Sequence, residues 1–286
     1  MVTRSPTPEG NTRVTGKEQF YTPRETADLV VARVVGLVPD ALGRTWLEPA
    51  GGTGVFIEAA MAAGVRDLVS LDIEPLHPLV AEGDFLTSDL SVAGAVTVSN
   101  PPFGRNNSLS VPFFNGCAKY SDVIAFIVPR SWRKWSVTNR LDPWFGLVAD
   151  DDLTVDYVDA KGEHVHGRRL LRTCLQVWER RAEPRPRVGV QDRGLVRRAA
   201  PDAADVALTI FGFGCGTVQT EFPRRKVTTQ MYLTLEDPRA LEALRAVDYS
   251  RFSRHVAYTE ALSLHEVNYL LNEYVFGDPG LVEIDR

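Results

Sequence analysis

The 286-residue sequence has no hydrophobic run long enough for a membrane span and only three cysteines. A transmembrane helix needs about 20 apolar residues, and the polar N-terminus also lacks the apolar core of a signal peptide. Cys117, Cys174 and Cys215 are isolated, odd in number and not spaced as metal ligands. We therefore expect a cytoplasmic protein with reduced thiols, no membrane partner and no metal centre.

A large positive charge is also absent. The net charge of −5 does not favour a protein that simply coats nucleic acid. Residues 161–198, however, hold eleven Lys or Arg and four acids, so this segment carries +7 and the rest of the chain −12. Because local charge decides where a phosphate backbone docks, Arg168 and Arg169 in this segment are predicted phosphate contacts.

Strand-like and helix-like segments alternate over the first two thirds of the chain. Apolar runs such as TWLE, DLVSLD, AVTVS and DVIAFIVP are separated by turns or by segments with helical spacing. This alternation predicts βαβ units, and hence an α/β fold with a mostly parallel sheet. Two more strands are expected in LTVDYVDA and TCLQVWERR, on either side of a basic loop.

Composition suggests where the domains begin and end. We expect a disordered N-terminus over residues 1–15, an α/β domain over 16–182, a basic linker rich in proline and arginine over 183–200, and a small α+β module over 201–286. The first helix is predicted to have Thr22 as its N-cap. The last helix is predicted to start at a capping box formed by Ser263 and Glu266.

A glycine-rich turn follows the first predicted strand. In EPAGGTGVF, Gly51, Gly52 and Gly54 let a ligand approach the backbone where a Cβ would block it. The turn lacks the Gly-Lys-Ser/Thr ending of a phosphate loop and the third glycine of the dinucleotide fingerprint. It indicates either a different kind of nucleoside-binding turn or a plain connection from strand to helix.

Acidic residues follow the next predicted strands. Asp72 ends the second strand, where a carboxylate can bind both hydroxyls of a ribose, and Glu74 is its solvated neighbour. Asp84 and Phe85 follow a third turn, where they could bind the amino group and the ring of an adenine. Each acid alone is typical of a turn, but the ordered set favours a nucleoside pocket.

A pair of prolines ends the strand AVTVS. Pro101 and Pro102 remove two backbone donors and exclude both a helix and a central strand. They hold Asn100 and Phe103 on a stiff, nearly extended elbow. An isolated NPPF would be only a strand-ending turn, but after a nucleoside pocket it favours an elbow that faces the substrate.

Together, EPAGGTGVF, DIEP, GDF and SNPPF resemble the S-adenosylmethionine motif and the catalytic motif of N6-adenine DNA methyltransferases. KEQFYTP, ahead of the glycine turn, is similar to the element that precedes the cofactor motif in the gamma arrangement of this family. Phage-type orphan enzymes and type I modification subunits carry such runs. The resemblance covers about residues 17–180 and implies a Rossmann-like class I methyltransferase fold with a mixed seven-stranded sheet. It also implies an S-adenosylmethionine site built from Phe20, Tyr21, Thr22, Glu48, Pro49, Gly51, Gly54, Asp72, Ile73, Asp84, Phe85 and Asn100.

The resemblance implies a reaction as well. The N6 amine of adenine is a poor nucleophile because its lone pair is delocalised, so its two N–H groups need acceptors as the nitrogen becomes tetrahedral. The side-chain oxygen of Asn100 and the carbonyl of Pro101 would be these acceptors, fixed in advance by the two prolines, Pro101 and Pro102. Phe103 would stack on a base flipped out of DNA, and methyl transfer would be direct.

A basic and aromatic segment, PRSWRKW, follows the run DVIAFIV. Arg130, Trp132, Arg133 and Lys134 are of the types that hold phosphates and splayed bases, and the segment resembles one in phage-type adenine methylases. An equal alternative is a solvated basic loop that caps a core tryptophan.

Other functions share parts of this pattern. An RNA N6-adenine methyltransferase would carry the same elbow, a glutamine methyltransferase of release factors a closely similar one, and a non-catalytic subunit would retain the fold. Phe103 and the +7 segment favour a nucleic acid substrate, and KEQFYTP with the C-terminal module favours DNA. The sequence leaves open the recognition sequence, a homodimer and a restriction partner.

Overall fold

The computed structural model describes residues 20–165 and 171–285. The chain forms two compact units: unit 1 comprises Met1–Pro129 and Arg140–Arg185, and unit 2 comprises Arg130–Asn139 and Pro186–Arg286. The N-terminus predicted to be disordered, residues 1–15, lies outside the described residues, as do Arg168 and Arg169. Within the described ranges, none of the helices combines the length and apolarity that crossing a bilayer requires.

Unit 1 contains a seven-stranded mixed sheet. Its strands are β1 Trp46–Glu48, β2 Leu68–Asp72, β3 Ala81–Glu82, β4 Ala95–Ser99, β5 Ser121–Pro129, β6 Phe145–Leu153 and β7 Thr173–Arg180. Its helices are α1 Arg24–Leu37, α2 Val55–Ala63 and α3 Ser110–Cys117. The strand order is β3-β2-β1-β4-β5-β7-β6, with the first five strands parallel and β7 antiparallel to both of its neighbours. The predicted Rossmann-like α/β fold with a mixed seven-stranded sheet is confirmed.

The central strands of this sheet are apolar along their whole length. All five residues of β4 are buried, and eight of the nine residues of β5 are buried. A strand covered on both faces has no polar side to present, so its sequence reads as a continuous apolar run. Of the residues in β5, only Asp122 is partly exposed, and it pairs with Arg44 at 2.8 Å.

The first helix starts one residue later than expected. Pro23 is the N-cap, with an extended backbone (φ −63°, ψ 152°), and α1 begins at Arg24. The predicted N-cap, Thr22, is therefore wrong; its side chain is buried instead. Pro23 has the φ of a helix but an extended ψ of 152°, so it is the last residue before the helix and not the first within it.

One predicted strand is wrong. The segment LTVDYVDA contributes only Leu153 to the end of β6 and two isolated bridges of Val158, to Tyr21 and to His164. The strand lies earlier, over Phe145–Leu153, and contains three consecutive aspartates. Partners compensate two of these acids: Arg33 on α1 pairs with Asp151 at 2.8 Å, and Gln176 donates to Asp150 at 3.1 Å.

Unit 2 combines a small antiparallel sheet with short helices. Its strands are β8 Arg187–Val190, β9 Val196–Arg198, β10 Val206–Thr209, β11 Val218–Gln219, β12 Gln230–Leu235 and β13 Leu281–Ile284. Its helices are α4 Trp135–Thr138, α5 Ala240–Ala246, α6 Ser250–Ser253 and α7 Leu264–Phe276. One sheet has the order β11-β10-β12-β9, and β13 pairs with β8. The predicted capping box is present at the start of α7, where Ser263 and Glu266 bond each other's backbone N–H groups.

The segment predicted as a basic linker is structured. Residues 183–200 contain both β8 and β9, so the linker prediction is wrong. β8 pairs with β13, and the side chain of Asn139 bonds both the carbonyl and the N–H of Val188, at 2.8 and 3.0 Å. The pairing partners are about ninety residues apart in sequence, so the local richness in proline and arginine did not reveal them.

The segment Arg130–Asn139 belongs to unit 2 although it follows β5 of the main sheet. Trp132 is completely buried, and Lys134 makes an ion pair of 2.9 Å with Glu266, whose side chain is 2% exposed. The ring of Trp135 packs on Phe252 and Tyr269. Trp132 and Lys134 were predicted to contact nucleic acid; this is corrected, because the fold uses both side chains internally. Arg130 and Arg133 are half-buried, and their predicted role stays a prediction.

We expect Lys134→Ala to destabilise unit 2. Removing the ammonium group leaves the carboxylate of Glu266 buried without its cation, which typically costs about 3–5 kcal/mol. Urea unfolding followed by tryptophan fluorescence measures this loss. The control is Arg239→Ala, which removes a pair with Asp237 on the surface and should leave the free energy of unfolding nearly unchanged. Equal effects of the two substitutions would contradict a structural role for the Lys134–Glu266 pair.

Candidate active site

The candidate site lies at one edge of the seven-stranded sheet. β1 runs parallel to β2 on one side and to β4 on the other. The carboxyl ends of adjacent parallel strands meet at the same sheet edge. Glu48, Asp72 and Ser99 are the last residues of these three strands. Three segments follow these residues in sequence: the glycine turn, the acidic turn that starts at Asp72, and the proline elbow. They are therefore brought together, as predicted.

The glycine turn connects β1 to α2 in a tight conformation. Gly52 and Gly54 have positive φ angles of +45° and +76°, which L side chains rarely adopt. A Cβ built on Gly54 would lie 2.3 Å from Cγ of His77, so a side chain there would displace the imidazole. Gly51 donates its N–H to the carbonyl of Leu71 at 2.9 Å. The turn thus requires glycine both for its backbone angles and for its packing.

The N-terminal element KEQFYTP reaches this turn through its described residues. A Cβ built on Gly52 would lie 2.8 Å from Cε1 of Tyr21, so the tyrosine ring lies directly against the glycine backbone. Burial, followed by the charges of Asp72 and Glu74, raises the pKa of the Tyr21 phenol above its usual value. The carbonyl of Phe20 accepts a hydrogen bond from Nδ2 of Asn100 at 3.4 Å. One short segment therefore touches both the turn and the elbow.

Asp72 closes the acidic turn after β2. Its two carboxylate oxygens accept backbone N–H groups, from Gly52 at 2.8 Å and from Glu74 at 2.8 Å. The next residue, Ile73, is apolar yet 57% exposed. Asp72 thus lies where it was predicted, and it also holds the glycine turn in place. Its contact with a ribose stays a prediction.

Of the third pair of predicted ligand residues, Asp84 lies at the surface and Phe85 in the core. Asp84 is exposed and accepts the N–H of Leu86 at 3.0 Å, as a residue that starts a turn does. Phe85 is 3% exposed and packs against Phe113 and Tyr120, with ring centroids 5.6 and 6.3 Å away. Phe85 is therefore a core residue in this structure, and contact of either side chain with an adenine stays a prediction.

Glu48 is a buried carboxyl group between the turn and the elbow. Its Oε1 accepts a hydrogen bond from the Ser99 hydroxyl at 2.6 Å and another from the backbone N–H of Ala50 at 3.1 Å. The pKa of Glu48 is raised to about 8: burial is the main cause and the charge of Asp72 adds to it, while the two hydrogen bonds oppose the rise. At neutral pH the free protein therefore holds this group mainly in its neutral form.

Several buried oxygens of this site have no hydrogen-bond partner among the described residues. They are Glu48 Oε2, Asn100 Oδ1, Thr22 Oγ1 and Ser70 Oγ. Buried polar atoms are normally bonded, and unsatisfied ones are expected where a ligand or water supplies the partner. Two of these residues lie against the glycine turn: a Cβ built on Gly51 would lie 2.3 Å from Ser70 Oγ, and Glu48 accepts the N–H of Ala50, which precedes Gly51.

The elbow after β4 holds its residues at different depths. Pro101 is buried like Pro49 beside the glycine turn, whereas Pro102 and Phe103 are half-buried. The carbonyl of Phe103 accepts N–H groups from Leu109 and Ser110, both at 3.3 Å, which fixes the chain leaving the elbow. Asn100 is half-buried, with its amide nitrogen bonded and its oxygen without a partner.

Sequence reasoning missed Ser70 and Ser99 as parts of this site. A serine within a strand carries no local signal; only the position of Ser99, immediately before Asn-Pro-Pro, could have drawn attention to it. Among the residues that the structure describes, no group of three or more His, Cys, Asp or Glu is arranged to hold a metal ion.

Comparison with known proteins gives partial matches. No family model matches the chain. The chain is 32% identical over 95 residues to the Type II methyltransferase M.HincII of Haemophilus influenzae. This match covers 32% of the chain and 18% of that relative, so the chain matches less than a fifth of the length of the curated relative. The likeness agrees with the resemblance predicted from the motifs.

Two solved structures show likeness to part of the chain. PH1948 from Pyrococcus horikoshii, which carries the name of an RNA methyltransferase, has a TM-score of 0.47 at 18% identity, over 58% of this chain and 89% of that one. The M protein of the type I restriction enzyme EcoKI has a TM-score of 0.42 at 16% identity, over 57% of this chain and 44% of that one.

The raised pKa of Glu48 predicts a pH-dependent stability. The folded state binds this proton up to a pKa of about 8, whereas the unfolded chain releases it near the ordinary glutamate pKa of 4.5. Between these values the folded state holds more protons, so the free energy of unfolding should fall as pH rises, by about 1 kcal/mol per pH unit. The other titratable groups facing Glu48 are Asp72 and Cys117.

Urea unfolding of Glu48→Gln at a series of pH values tests this prediction. The amide cannot ionise, so the decline attributed to this carboxyl should disappear. Glu25→Gln, at an exposed carboxyl on α1, is the control and should retain the slope. A slope that survives in Glu48→Gln would mean that another group causes it.

Proposed function

We propose that this chain transfers the methyl group of S-adenosylmethionine to N6 of adenine in DNA. The observation that carries the proposal is the acceptor left open on the elbow: Asn100 Oδ1 is buried and has no partner among the described residues. It lies on the sheet edge that also holds the glycine turn and Asp72. The likeness to a Type II methyltransferase supports methyl transfer as the reaction.

The residues around the glycine turn fit S-adenosylmethionine. Glu48 Oε2, Thr22 Oγ1 and Ser70 Oγ are buried oxygens that lack a partner among the described residues, as expected of a pocket for a ligand with ammonium, carboxylate and hydroxyl groups. Asp72 would bind the ribose hydroxyls, and the exposed side chain of Ile73 would contact the adenine ring. When bound, the cofactor supplies an electrophilic methyl group on a sulfonium.

Asn100 would activate the amine without removing a proton first. Its Oδ1 and the carbonyl of Pro101 would accept the two N–H groups of N6, which favours the geometry in which the nitrogen lone pair is localised. Nδ2 of Asn100 is bonded to the carbonyl of Phe20, which sets the orientation of the amide. Because these acceptors are fixed before the substrate arrives, little reorganisation is needed in the transition state.

Phe103 would hold the target base. Phe103 is half-buried at the end of the elbow. Enzymes that modify a base take it out of the stack and commonly place it against an aromatic side chain. DNA is the proposed substrate; RNA and protein glutamine are the alternatives that the experiment must separate.

The test is methyl transfer with labelled S-adenosylmethionine to duplex DNA, total RNA and release factor in parallel, followed by identification of the modified base or residue. We expect N6-methyladenine in DNA. Asn100→Ala should lower turnover by roughly 100-fold or more, because it removes an acceptor used in the transition state, while calorimetry should find cofactor binding retained.

Asn100→Asp provides the matched comparison. It retains an acceptor oxygen and should keep more activity than Asn100→Ala. Label found only in RNA or in protein would overturn the DNA assignment. Undiminished turnover of Asn100→Ala would remove the elbow from the mechanism.

Asp72→Ala should weaken cofactor binding. The substitution removes the proposed ribose acceptor and also frees the N–H of Gly52, which the carboxylate now holds at 2.8 Å. Losing hydrogen bonds to a charged group typically costs about 1–3 kcal/mol, which isothermal titration calorimetry resolves. Asp89→Ala, at an exposed carboxylate beyond β3, should bind as the wild type does. Wild-type affinity in Asp72→Ala would place the ribose elsewhere.

A further inference from the structure

The hydroxyl of Ser99 is a buried group that the proposed reaction does not use. Ser99 is completely buried, directly precedes Asn100, and donates to Glu48 Oε1 at 2.6 Å. The same oxygen accepts the N–H of Ala50 at 3.1 Å, in the chain that leads into the glycine turn. A single carboxyl oxygen therefore connects the residue before the elbow with the residue before the first turn glycine.

The hydrogen bond between Ser99 and Glu48 links β1 and β4 beyond the last pair of residues that the backbone ladder joins. The paired residues of β1 and β4 are Trp46 with Val96 and Leu47 with Thr97, and the ladder ends there. Glu48 and Ser99 lie beyond the last of these pairs, towards the site. At the sheet edge the side-chain bond takes the place of a ladder hydrogen bond between the two strands.

We propose that Ser99 is a positioning residue, which fixes the Asn100 elbow relative to the glycine turn through its hydrogen bond to Glu48. The inference rests on the proposed function, because the Ser99–Glu48 bond would fix the distance between the acceptor on the elbow and the methyl donor. Direct transfer requires the two reacting atoms to be held in line and in contact, and small errors in placement reduce the rate strongly. Ser99 itself touches neither reactant; it acts through the residue that follows it.

The first test compares two deletions of a buried hydroxyl on the same strand. Ser99→Ala removes the bond to Glu48, and Thr97→Val removes the bond of 2.6 Å between the hydroxyls of Thr97 and Ser121, two residues earlier on β4. We expect Ser99→Ala to lower kcat roughly 10- to 100-fold while the Kd for S-adenosylmethionine changes by less than about twofold. Thr97→Val should leave kcat near the wild-type value, and Ser99→Cys, a weaker donor of similar size, should be intermediate.

The second test needs no activity. The ¹³C carboxyl resonance of Glu48, assigned by its loss in Glu48→Gln, is titrated in the free protein. Because the bond from Ser99 lowers the pKa of Glu48, Ser99→Ala should move the titration to higher pH. Thr97→Val should leave it in place. A general loss of packing would let water reach Glu48 and move its titration to lower pH, whereas loss of the Ser99 bond moves it to higher pH.

The two readouts separate the possible failures. If the wild-type protein transfers no methyl group, the proposed function is overturned, and the positioning role is overturned with it. The titration still decides whether the Ser99–Glu48 bond exists. An active enzyme whose kcat is the same in Ser99→Ala and in the wild type overturns the positioning role alone. Equal losses of kcat in Ser99→Ala and Thr97→Val also overturn it, since any buried hydroxyl on β4 would then matter equally.

Discussion

The candidate site depends on one constraint: β1 is paired in parallel with β2 and with β4 at the same time. Trp46 lies opposite Leu68 on one neighbour and opposite Val96 on the other, and these registers decide where all three strands end. With the ends aligned, the glycine turn, the acidic turn and the elbow leave the sheet side by side. A slip of one residue in either register would turn the end residues to the opposite face of the sheet.

The parts of the site that local backbone chemistry dictates could be predicted from the sequence. Positive φ angles demand glycine at Gly52 and Gly54, and the proline pair after Asn100 excludes continuation of β4, so both features are visible in a few consecutive letters. Asp72 could be placed because a short apolar run ends at it. The rule that the carboxyl ends of parallel strands share an edge then brought these segments together.

The features that sequence reasoning missed depend on partners far away in the chain. Lys134 and Glu266 are 132 residues apart, and nothing in PRSWRKW indicates that its lysine is half of a buried ion pair. The three aspartates of β6 argued against a strand in the sequence. In the structure Arg33 on α1, which is distant in sequence, pairs with one of them. Ser99 belongs to the same class: its role follows from the position of Glu48, 51 residues earlier. Polar residues receive their function from tertiary contacts, which local patterns do not encode.

An amide at position 100 suits the two acidic groups already present at this edge, Glu48 and Asp72. Glu48 is buried with a pKa raised to about 8, and the charge of Asp72 contributes to that rise. A carboxylate in place of Asn100 would add another negative group to a desolvated site, where like charges raise each other's pKa values and favour protonation. A protonated acid has one acceptor oxygen and one donor oxygen, so the proton's position would decide whether an acceptor faced the substrate. The amide oxygen of Asn100 accepts at any pH, so the elbow retains its acceptor whichever way Glu48 titrates.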